Sequence, residues 1–183
     1  MRIFLQCIII LIFFFGNAQE KEWKLVKDIE RGYRINFPGE AKYASQKVPT
    51  DKGDVTMDSY SYQPENLEAD NLVYMTAFTK YPTFFFENGL ESDENKQRVL
   101  DNAVNGAVTN TKGTLASSDK IKFNGYPGRR SKINISGGYV IEMKTILVNF
   151  TLYLAQVIYK KEDEGNFNAS RFFNSFELIK VNE

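Results

Sequence analysis

Two segments constrain the fold more than any other feature of the chain. Leu72–Phe78 and Thr151–Tyr159 are both apolar at odd and even positions alike. Successive strand residues point to opposite faces of a sheet, so a strand apolar on both sides must be covered on both sides. One cover is visible between them. From about Ser92 to Thr111, Val99, Ala103 and Ala107 form one row at i, i+4 spacing, with Leu100, Val104 and Val108 beside it. Together they make a single apolar stripe of the width that packs on a sheet. Ser92 is placed to cap this helix, Asp93 and Glu94 favour its first turn, and Gly113 is placed to end it.

The remaining strands alternate. Tyr33–Phe37 reads as a half-buried strand stopped by Pro38-Gly39, and Lys52-Gly53-Asp54 as the turn of a hairpin between Ala44–Pro49 and Val55–Tyr62. Ile121 and Phe123 lead to a turn at Asn124–Gly128. Ser131, Ile133 and Ile135 form the next strand, and Gly137-Gly138 the next turn. Tyr139, Ile141 and Met143 then face one way, with Glu142 and Lys144 opposite. A short helix is expected over Asn168–Asn174, before a last strand Phe176–Ile179. No repeat or low-complexity linker divides the chain, which is long enough for one core. The expected class is α+β: an antiparallel sheet with helices on both faces, an α/β/α sandwich.

The N-terminus carries a different signal. Arg2, an apolar run Ile3–Phe15 and Gly16-Asn17-Ala18 precede the polar Gln19-Glu20-Lys21-Glu22. A basic start, a short apolar stretch and a small residue before the polar shift form a secretory signal peptide, here residues 1–18 with cleavage after Ala18. The run falls short of the roughly 20 residues of a bilayer-spanning helix, so no stable membrane insertion is expected after cleavage. Residues 19–183 then form a single domain. It retains 22 of the 23 basic residues and all 23 acidic ones, since Arg2 is the one charged residue removed. Cys7, the single cysteine, leaves as well. An exported domain free of cysteine fits a bacterial periplasm or exterior better than a disulfide-rich eukaryotic secretome. The near-neutral balance offers no footprint for nucleic acid.

Three landmarks carry a resemblance. They are Tyr33-Arg34-Ile35-Asn36-Phe37-Pro38-Gly39, Gly125-Tyr126-Pro127-Gly128-Arg129, and Arg171-Phe172-Phe173-Asn174-Ser175-Phe176-Glu177-Leu178. With Leu152-Tyr153 and the long helix, they resemble small exported bacterial proteins of unassigned function, similar in turn to the PsbP-like fold. The resemblance implies an antiparallel sheet sandwiched by helices and action through binding a larger assembly. The photosynthetic members of that fold are associated with metal-ion retention and use His. This chain has no His, so that role does not carry over, and a shared fold transfers no function.

The same absence removes Ser-His-Asp and Cys-His catalysis from the domain, and no phosphate-binding Gly-rich loop, nucleophile elbow or EF-hand spacing occurs. No catalytic residue, metal site or cofactor is therefore expected. A carboxylate-pair hydrolase needs only two acids about 5–10 Å apart; Asp101 and Glu142 are the nominees. Glu162-Asp163-Glu164 reads as a solvated acidic turn neutralised by Lys160-Lys161, and Asp51 and Asp54 as turn formers around Gly53. Arg129-Arg130 is a weak anion-binding candidate, because adjacent strand residues diverge. Tyr81-Pro82-Thr83-Phe84-Phe85-Phe86 is the most unusual stretch. Three consecutive Phe cannot all face one core, so Tyr81, Phe84, Phe85 and Phe86 either close the core or offer a partner-binding surface. The leading expectation is a non-enzymatic binding module with a protein partner. Its rivals are a carrier holding a small apolar ligand between helix and sheet, and the Asp/Glu hydrolase. Oligomeric state is not encoded in any legible feature.

Overall fold

The computed structural model describes residues 22–179 apart from 51, 67, 87 and 88. The proposed signal peptide, with Cys7, lies outside the described residues, as does Asp51. Ten strands and two helices follow in chain order: β1 (Lys24–Asp28), β2 (Tyr33–Phe37), β3 (Lys42–Thr50), β4 (Gly53–Tyr62), β5 (Val73–Lys80), α1 (Asp93–Thr111), β6 (Thr114–Phe123), β7 (Tyr126–Ile135), β8 (Tyr139–Val148), β9 (Thr151–Lys160), α2 (Phe167–Asn174) and β10 (Glu177–Leu178). Seven strands form one antiparallel sheet in the order β3-β4-β5-β9-β8-β7-β6; β1, β2 and β10 form a second of three strands.

The two doubly apolar segments are β5 and β9, neighbours inside the large sheet, with β9 at its centre. On one face of β9, Tyr153, Ala155, Val157 and Tyr159 join a core with Tyr33, Ile35 and Phe37 of β2 and with Phe172, Phe173 and Phe176. Ring contacts bind this layer, including Phe37–Phe172 at 5.1 Å and Tyr74–Phe172 at 5.3 Å. On the other face, Leu152 packs with Leu100 and Leu147, while Leu154 and Ile158 pack with Ile133, Ile141 and Met143. Helix α1 covers that face, against β7 and β8, because the chain must travel from β5 to the far edge strand β6.

Helices therefore do not form both outer layers. One face has α1; the other has the small sheet together with the short α2. The sandwich expectation missed this because β1 is short with little alternation to read, and β2 and β10, though expected as strands, pair with each other in a separate sheet that no local pattern signals. The helix limits were legible. The Ser92 hydroxyl accepts a hydrogen bond from the Asn95 N–H at 3.1 Å, with Asp93 and Glu94 in the first turn. Lys112, rather than Gly113, takes the left-handed position at the C-terminus, with φ 51°. Gly113 serves another purpose: a Cβ there would lie 2.5 Å from the Ile133 side chain and 2.9 Å from the Asn134 carbonyl. The expected Asn124–Gly128 turn is shorter too. Asn124 and Gly125 make it alone, both with positive φ, and Tyr126-Pro127-Gly128 already belongs to β7.

Helix α2 is anchored by its cap. The Asn166 side chain accepts from the Ala169 N–H at 2.7 Å and exchanges hydrogen bonds with the fully buried Asn71. Among the described residues, no helix is long and apolar enough to cross a membrane.

Candidate functional site

An open groove of about 780 Å³ lies on the outer side of α1. One wall is the β3–β4 hairpin, through Val48, Pro49, Thr50 and Lys52. The end wall is the segment after β5, through Tyr81, Phe85, Phe86 and Leu90. The floor is the polar face of α1: Arg98, Asn102, Asn105, Gly106 and Asn110, with Val99 and Ala103 toward the sheet.

The aromatic segment owes its form to a short run of 3₁₀ helix, Thr83–Phe85, entered from Pro82 at φ −59°. Three residues per turn send consecutive side chains in three directions, roughly 120° apart. That resolves the problem of three adjacent Phe. Phe85 is buried, at 7% exposure, against Tyr81 with ring centroids 6.4 Å apart. Phe86 packs on the cluster of Leu90, Leu100 and Leu147 and lies 5.8 Å from the Phe150 ring. Phe84 is 71% exposed, propped on Phe85 at 5.0 Å. Tyr81 is held by its backbone N–H to the Phe150 carbonyl, and burial raises its phenol pKa above the ordinary value. The Lys52 ammonium donates to the Phe85 carbonyl at 2.6 Å, which ties the hairpin wall to the aromatic wall. Tyr81, Phe85 and Phe86 thus line the groove, and Phe84, outside the lining, is exposed against the outer side of the Phe85 ring.

Arg129 and Arg130 diverge to opposite faces of the sheet. Arg129 is buried under α1, where two guanidinium nitrogens donate to one Asp101 oxygen at 2.8 and 2.5 Å. Arg130 donates to Glu142 at 2.8 and 2.6 Å on the other face, and Glu142 also accepts from the Tyr159 hydroxyl. Each arginine is occupied by an acid of its own, so the two do not converge on one anion. The same placement separates the nominated acids, since Asp101 and Glu142 lie on opposite sides of the sheet and share no site. Among the described residues, no three acids cluster as metal ligands would. In the acidic turn, Lys161–Asp163 is a short 3₁₀ turn and Glu164 pairs with Lys132. The interface between α1 and the sheet, the ligand's place in the rival carrier reading, is lined by Leu100, Ile133, Ile141 and Leu147, all buried.

The amide-rich floor of α1 was missed in the sequence, where the apolar stripe, the caps and Asp101 of this helix drew the reading. A signal was present: Asn102, Asn105, Gly106 and Asn110 are poor helix formers gathered on one side of a helix.

No protein-family model matches the chain, and no curated protein matches it in sequence. Among solved structures, it is similar to the cyanobacterial PsbP protein CyanoP from Synechocystis sp. PCC 6803. The identity is 12%, the match covers 89% of this chain and 96% of that one, and the TM-score is 0.53. At that identity the likeness establishes a PsbP-like fold and nothing about activity.

Proposed function

We propose that this chain is an exported, non-enzymatic binding module that docks on a protein partner through the groove over α1. The observation that carries the reading is the aromatic segment. Its 3₁₀ turn and the residue that ends it commit Phe85 and Phe86 to the groove wall and leave Phe84 71% exposed on the Phe85 ring. An exposed aromatic ring propped on a groove-wall residue offers a large, rigid contact area to a partner. The apolar N-terminal run supports export, and the lack of His together with the separation of Asp101 from Glu142 across the sheet supports a binding rather than a chemical role.

The test exploits the different burial of the three rings. Phe84→Ser removes an exposed side chain and should leave the melting temperature within about 2 °C, since surface substitutions seldom exceed 0.5 kcal/mol. It should nonetheless abolish capture of a saturable partner from the host cell envelope. Capture unchanged by Phe84→Ser, in a protein that melts normally, would defeat the proposal.

A further inference from the structure

The floor of the groove breaks the rules that the rest of α1 obeys. Gly106 stands in the middle of a nineteen-residue helix, yet a Cβ built there meets nothing within 4 Å. Packing therefore does not require glycine. Asn102, Asn105 and Asn110 are exposed, and their side chains have no hydrogen-bond partner among the described residues. Asn95 differs, because it accepts from Arg98 and donates to the Gly89 carbonyl. Arg98 is exposed and has no ion pair among the described residues, and no acid is found among the described residues lining the groove. Local choices that disfavour the element without a packing return mark function.

We infer that this floor binds an extended peptide segment of the partner, gripping its main chain through Asn102, Asn105 and Asn110 and a carboxylate through Arg98. The inference rests on the docking reading above and names the partner's chemistry. A side-chain amide carries a donor and an acceptor, the same pair that each peptide unit presents. Gly106 leaves the helix surface bare, so that a second backbone can approach closely. Arg98 to Asn110 spans about 18 Å along the helix, the length of five or six extended residues. A guanidinium with no acid of its own selects a carboxylate. The apolar part of the lining, Val99, Ala103 and Phe86, takes one apolar side chain of the same segment.

The experiment is selection of a displayed random hexapeptide library on the purified protein, followed by anisotropy titrations with resynthesised peptides. Enriched sequences should carry an acid and an apolar residue. Main-chain N-methylation of the peptide should weaken binding at least tenfold. Asn102→Ala and Asn105→Ala should each cost about three- to tenfold, the range of one hydrogen bond, and Arg98→Glu more than tenfold. Gly106→Leu, a good helix former, should fold normally and fail to bind. Peptides that tolerate N-methylation, or that bind all four variants equally, would overturn the inference. So would a library that enriches nothing. If the Phe84-dependent capture persists in any of these cases, the docking reading stands without this floor; if the capture also fails, both fall.

Discussion

The Arg129–Asp101 contact shows how much a single residue decides here. The Arg129 side chain is 6% exposed beneath α1, whereas the Asp101 side chain is half exposed. Removing the acid leaves a buried cation without a counter-charge, which costs far more than a surface pair is worth. Asp101→Ala should therefore lower unfolding stability by about 3 kcal/mol in urea titrations. The double variant Asp101→Leu/Arg129→Met should recover most of that loss. A second pair gives a pH prediction. Asp58 is pushed up by burial, but hydrogen bonds from Ser45, Arg31 and Tyr43 outweigh this and hold it below its ordinary value of 3.8. Arg31 bridges Asp58 at 2.9 Å and Asp28 at 3.0 Å. A carboxylate with a depressed folded-state pKa stabilises above its unfolded pKa, and loses that stabilisation as pH falls through the folded value. Stability should thus drop as pH falls below 3.8, and Asp58→Asn should shrink that part of the drop.

At the scale of elements, α1 has one face for folding and one for something else. Its buried face obeys pattern and packing, with Leu100 and Val104 fully enclosed. Its outer face carries Asn102, Asn105, Asn110 and Gly106, together unfavourable by about 3 kcal/mol relative to alanine. Gly106→Ala should accordingly stabilise the protein by up to about 1 kcal/mol while weakening binding, a trade that thermal melts and titrations read separately. The existence of this helix, its Ser92 cap and its apolar stripe were legible in the sequence, because local periodicity and capping chemistry determine them. The ends of the strands were less so. Thr114–Phe123 is an exposed edge strand with a bulge between Leu115 and Ser117, and only its last apolar residues had signalled order. Lys24–Asp28 went unread although it forms a short hairpin with Tyr33–Phe37, and Glu177–Leu178, expected as part of a strand Phe176–Ile179, finds its partner in Tyr33–Phe37 only through a long-range pairing that no local pattern encodes.

For the whole molecule, the sequence carried the demand for two covering layers but not the identity of the second. Tyr153, Val157 and Tyr159 required a partner, and a small sheet with α2 meets that requirement as well as a helical layer would. The groove was invisible for the same reason. It arises where the β3–β4 hairpin, the Tyr81–Phe86 segment and α1 meet, three stretches that only the strand order brings together. Its aromatic wall was legible as three consecutive Phe that cannot all face one core; its amide floor needed the fold. The central claim is that partner contact occurs in this groove. Photocrosslinking tests it most directly, with p-benzoylphenylalanine placed at Phe84 or Asn102, and at Lys27 on the separate small sheet as control, in the native host. One protein should crosslink from the first two positions and not from Lys27. Equal crosslinking from all three, or none from Phe84 and Asn102, would contradict the claim.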